Sequence, residues 1–162
     1  MDLPGRAPLT VRRALAAALV AAAVAGCAGP GPVAVPPAAD AGPAAAARCA
    51  ALHQKLPKKV GDLTRRRTEP SSDRTAAWGD PAVVLRCGVV RPAGYRPELT
   101  PLAEVNGVGW YQHIAGATIE WVAVDRPVYV QLDVPRSYEA HAAFLVDLAG
   151  PIAATLPRRT PG

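Results

Sequence analysis

Hydrophobic and polar positions alternate most regularly in the last third of the chain. From Val128 to Val134, the residues Val128, Val130, Leu132 and Val134 fall on one side and Tyr129, Gln131 and Asp133 on the other. That period of two is a half-buried strand. Val108 to Ile114 alternates in the same way, with Val108, Trp110, Gln112 and Ile114 opposite Tyr111 and His113. Thr118 to Val124 is a further strand, apolar on both faces apart from Thr118 and Glu120. Asp125-Arg126-Pro127 turns into the next strand, so these three form an antiparallel meander. A fourth strand, Ala82 to Cys87, is a short apolar run closed by Gly88.

Helical spacing appears at both ends. Cys49, Leu52 and Leu56 lie at i, i+3 and i+7, and Pro57 ends that pattern. From Tyr138, with Ser137 as N-cap, Phe144 or Leu145, Leu148, Ile152 and Leu156 share one side. Gly150-Pro151 is expected to kink or split this helix. Lys58 to Ser72 is polar and basic, with room for one short strand, and Arg91 to Pro101 is loop. The predicted class is α+β: a small antiparallel sheet, a three-strand meander plus a fourth strand, packed by an N-terminal and a C-terminal helix.

The first 26 residues have a different logic. Arg6, Arg12 and Arg13 precede the apolar run Ala14 to Ala25, too short to span a bilayer but suited to an export signal. Val24-Ala25-Gly26-Cys27 then resembles a lipobox: a branched apolar residue, two small ones, and a Cys whose thiol carries the diacylglycerol. Residues 1–26 are read as a lipoprotein signal peptide and Cys27 as the lipidation site, with Sec and twin-arginine export both open. Two acyl chains suffice for stable attachment. Residues 27–47, nearly all Ala, Pro, Gly and Val, are read as a disordered tether reaching about 60 Å if extended as polyproline II. A single domain follows over 48–157, then a disordered tail over 158–162. The expected location is the outer face of the cytoplasmic membrane.

Cys49 and Cys87 remain as an even pair in an exported chain, so a disulfide is the default. A metal pair or a catalytic thiol is the rival, but two Cys lack the further ligands of a zinc site. Charge adds little. The formal net charge of +5 falls to +3 once Asp2, Arg6, Arg12 and Arg13 are removed, which does not suggest nucleic acid. The dense charge is Arg65-Arg66-Arg67, near Lys55, Lys58 and Lys59. Such a run suits anionic headgroups or wall polymers, or is simply a solvated loop.

One set of residues carries a resemblance. Thr75-Ala76-Ala77-Trp78-Gly79-Asp80-Pro81, then Val84-Leu85-Arg86-Cys87-Gly88, is similar to the signature of the actinobacterial DUF3515 family of small secreted proteins. Val105-Asn106-Gly107-Val108 with Trp110, and Tyr129-Val130 leading to Val134-Pro135, fit the same family. It implies an exported or membrane-attached envelope protein of unknown function, and supplies no catalytic residues.

No G-x-S-x-G, S-x-x-K or H-E-x-x-H motif is present. His53, His113 and His141 read as surface histidines, Glu120 and Asp133 as solvated residues on neighbouring strands, and Asp80 as a turn residue. Trp110 and Trp121 read as core. Trp78, in a Gly/Pro-flanked turn, is a candidate stacking surface for a ligand. No cofactor or metal is expected. The leading expectation is a non-catalytic binding or accessory module for an envelope protein or wall component. The alternative is a small envelope hydrolase in which His113, Glu120 or Asp133 converges beside Trp78.

Overall fold

The computed structural model describes residues 29–36, 38 and 42–158. Cys27 and the export segment lie outside the described residues. The elements run β1 (Val33–Ala34), α1 (Pro43–Lys55), β2 (Lys59–Val60), β3 (Leu63–Arg66), β4 (Thr68–Glu69), β5 (Thr75–Trp78), β6 (Val83–Val89), β7 (Ala103–Val105), β8 (Val108–Ala115), β9 (Thr118–Ala123), β10 (Tyr129–Pro135) and α2 (His141–Thr155). The fold is α+β. Among the described residues the main sheet has eight strands in the order β2-β3-β5-β6-β10-β9-β8-β7, antiparallel throughout. The expected meander and fourth strand are its centre, β6-β10-β9-β8. Three strands, β5, β3 and β2, extend it on one side and one, β7, on the other. β2, β3 and β4 divide the stretch in which one short strand was expected.

Alternation sets the faces. Val130, Leu132 and Val134 of β10, Val83, Leu85 and Cys87 of β6, Ile119 and Trp121 of β9, and Trp110 of β8 are buried beneath the helices. α1 contributes Cys49 and Leu52, and α2 contributes Leu145, Leu148 and Ile152, all buried. The Cys49–Cys87 disulfide joins α1 to β6, with its Cα atoms 5.7 Å apart. On the opposite face a smaller cluster forms where Tyr95, from the 91–101 loop, covers Val122 and Val124. The β7–β8 hairpin turns at Asn106-Gly107, both at positive φ (47° and 77°), as a tight two-residue turn requires.

Four expectations change. The Ala-rich stretch to residue 47 is ordered in part: Val33–Ala34 pairs in parallel with Thr68–Glu69, Val35 is buried, and α1 begins at Pro43, not Arg48. Few large side chains weaken a core, but alanine is the best helix former and proline suits a first helical turn. Ser137 does not cap α2. That helix starts at His141 with no side-chain cap, and the preceding residues form a turn in which Tyr138 donates through its hydroxyl to Pro81 O at 2.6 Å. α2 also runs through Pro151 unbroken, because Leu148, Ile152 and Leu156 are all fully buried and tertiary packing offsets the lost donor. Finally, Arg158, expected in a disordered tail, contacts Asp125 and Glu104 through its guanidinium while its side chain stays half exposed.

Candidate functional site

β3 carries the basic run, and its alternation separates the arginines. Arg65 pairs with Trp78 across the strands and points toward the helices, whereas Arg66 pairs with Ala77 and points to the other face. Arg67 follows β3 and is exposed. All three line one cleft of about 700 Å3, together with His53, Thr68, Glu69, Ser72 and Thr75.

Trp78 does not line the cleft but lies under Arg65, which does. It is completely buried, and its indole N–H donates to Pro57 O at 3.1 Å. It ends strand β5 and does not sit in an exposed turn. The expectation that Trp78 stacks on a ligand is therefore corrected: no face of the ring reaches solvent. Its ring supports a cation instead. The Arg65 guanidinium carbon lies 5.5 Å from the ring centroid, within cation–π range. Gly79, at φ 73°, turns the chain directly after Trp78, and a Cβ there would sit 2.8 Å from Leu63 Cδ2. This close approach leaves the Gly79 carbonyl to accept from Arg66 Nη1 at 2.8 Å.

The partners of Arg65 are electrically neutral. Nη2 lies 2.8 Å from His53 Nε2 and Nη1 donates to Leu56 O at 3.4 Å. Burial pushes the Arg65 pKa down, yet a guanidinium stays charged at any ordinary pH. Among the described residues no carboxylate lies within ion-pair distance of Arg65; Arg66, by contrast, has Asp80 at 3.6 Å. Arg65 is thus a half-buried positive charge that, among the described residues, touches no carboxylate, although Glu69 lines the same cleft.

His53 was missed as a site residue. Its position one turn beyond Cys49 on α1 places it on the face that the disulfide draws onto the sheet, and this spacing is the signal that would have found it. Burial, and then Arg65, hold its pKa below the ordinary histidine value, while Asp73, 3.7 Å from Nδ1, works weakly the other way. The neutral ring accepts from Arg65. Because the folded-state pKa is depressed, this contribution is fully present above the unfolded value of about 6.5 and is lost as pH falls through the folded one. Unfolding free energy measured from pH 7.5 down to 5 should decline through this window. The decline should flatten in His53→Gln, and an identical profile for both chains would refute the assignment.

The hydrolase candidates meet elsewhere. His113 pairs with Glu120 and Glu120 with Asp133, so the three form one cross-strand row. The row lies on the sheet face opposite Trp78, not beside it. Arg86 pairs with Asp133 Oδ2, and Gln131 Nε2 donates to Oδ1 at 2.6 Å. His113 is exposed. His141 begins α2, and Trp110 and Trp121 are core residues. Among the described residues no group of three or more His, Cys, Asp or Glu could hold a metal ion, and no helix is long and apolar enough to cross a membrane.

The family model for DUF3515, described as a protein of unknown function, matches residues 8–161. The chain belongs to the DUF3515 family. The match includes the apolar N-terminal run as well as the folded domain, and so takes in the cleft and both disulfide cysteines of this DUF3515 member. No curated protein and no solved structure matches the chain.

Proposed function

We propose that this chain is a lipid-anchored protein of the outer face of the cytoplasmic membrane whose domain is a non-catalytic binding module. It grips an anionic group of an envelope component in the Arg65 cleft. The observation that carries this reading is the Arg65 charge, withdrawn from water onto Trp78 and given only neutral partners. A half-buried charge that touches no counter-ion carries part of the desolvation cost of a buried one, and an incoming phosphate or carboxylate would lower it. Guanidinium groups bind such oxyanions through two parallel hydrogen bonds, and Arg66, Arg67 and the Thr68 and Thr75 hydroxyls line the same space. Anion binding would also raise the depressed pKa of His53, so affinity should climb as pH falls.

The test begins with protein recovered from the membrane fraction. Its intact mass should start at Cys27 with acyl groups attached. Titration with inorganic phosphate and with a polyphosphate, followed by the ring and amide shifts of His53, should saturate and weaken with added salt. Arg65→Ala should weaken binding about ten- to a hundredfold, as expected for a charge-assisted hydrogen bond worth about 1.5–3 kcal/mol. Arg65→Lys should restore only part. Binding unchanged in Arg65→Ala would remove the cleft from the proposal.

A further inference from the structure

A second pocket lies on the opposite sheet face, far along the strand order from the Arg65 cleft. It occupies about 490 Å3 between the Tyr95 loop and strands β7 and β8. Its walls are apolar and aromatic, formed by Tyr95, Leu102, Val124 and Tyr129. At one end sit two carboxylates, Asp125 and Glu104, and the Gly107 carbonyl. Gly109 leaves Asp125 accessible, since a Cβ there would lie 3.2 Å from the carboxylate and 3.0 Å from Leu102.

Asp125 has two separate duties. Its Oδ1 faces the buried Arg126 at 3.0 Å. Arg126 in turn donates to Leu156 O at 3.0 Å and to Gly107 O, so it anchors the end of α2. Oδ2 faces the pocket, where it accepts from Arg158 Nε at 3.1 Å. Arg158 Nη2 reaches Glu104 Oε2 at 3.1 Å and Gly107 O at 3.2 Å. Three acceptors thus converge on one guanidinium, whose fixed fork of donors suits several acceptors better than the point charge of an ammonium.

The occupant is loosely committed. Leu156 is fully buried, but Arg158 lies two residues beyond it and its side chain is 54% exposed. The hydrogen bonds that hold it are those of its guanidinium. We propose that this pocket is a receptor site for an arginine side chain of a protein partner, which the chain fills with its own Arg158 until the partner replaces it. The apolar walls would take the methylene stem and the neighbours of the incoming arginine. Arg158 acts as a tethered competitor, present at an effective concentration set by its short link to Leu156.

The test uses the full chain and its Arg158→Ala variant, titrated with N-acetylarginine methylamide and followed by the Gly107 and Gly109 amide shifts. The variant should give saturable shifts, and the wild-type chain should need about tenfold more probe, the penalty of displacing a tethered competitor. Adding Glu104→Gln should weaken binding to the variant, and the lysine analogue should bind less well than the arginine one. Arg158→Gln serves as a second unplugged chain, and the unfolding midpoints of all variants establish that the fold is kept. No saturable shift in either unplugged chain, equal titrations with and without Arg158, or equal binding of the lysine analogue would each overturn the proposal.

Discussion

A chain carrying Cys49→Ser and Cys87→Ser should unfold at a urea midpoint about 2 M lower than the disulfide-bonded protein, reflecting a loss of roughly 4 kcal/mol. The cysteines are 38 positions apart, so the bridge removes considerable freedom from the unfolded chain. It also joins two elements that otherwise meet only through side-chain packing. α1 has no side-chain cap at its start, whereas β6 is hydrogen-bonded to a neighbour on each side. Without the bridge, α1 keeps only its contacts with the sheet and α2. His53, one turn beyond Cys49, should then hold Arg65 less firmly, so anion binding should fall along with stability. Equilibrium urea unfolding checks the first effect and phosphate titration the second. An unchanged midpoint would show that α1 is secured without the disulfide.

Trp78→Ala should cost about 3–5 kcal/mol, the range for removing a large aromatic from a core, and lower the melting temperature on the order of 10–20 °C. The ring is fully buried, and its loss also leaves Pro57 O without its donor. The more informative variant is Trp78→Phe. It keeps an aromatic surface under Arg65 but lacks the N–H, so it should recover most of the stability and retain phosphate binding. Calorimetry and titration together separate the two roles. If Trp78→Phe binds phosphate as poorly as Arg65→Ala, the platform requires the indole; if both Trp78 variants bind normally, Arg65 does not depend on the ring.

How far the sequence could be read depended on side-chain size. β8, β9, β10 and β6 were legible because large apolar residues alternate or run together there, and Asn106-Gly107 marked its hairpin. β5 was not. Its residues Thr75-Ala76-Ala77-Trp78 are all buried, yet two are alanines, which carry little strand preference, and Gly79 made Trp78 look like part of a turn. β1 and β4 are two residues each and exist through their pairing, which no local pattern encodes. The Arg65-Arg66-Arg67 run was visible as charge alone. Only strand alternation and the register with β5 show that Arg65 turns inward to Trp78 while Arg66 turns away. His53 needed the disulfide to be given its place.

The pairing of Val33–Ala34 with Thr68–Glu69 shortens the leash on which the domain would be held. Val33 donates to Arg67 O at 2.8 Å and Val35 to Glu69 O at 2.9 Å, so the chain is stitched down from residue 33. With acyl chains on Cys27, only five residues, 28–32, would lie between the anchor and that point, a fully extended span of about 20 Å. Pro32, which lines the Arg65 cleft, comes one residue earlier still. On the proposed anchoring, a domain so moored would not sample the depth of the wall. Its cleft would patrol the layer immediately above the lipid headgroups, and its partners would be those that come down to the membrane to meet it.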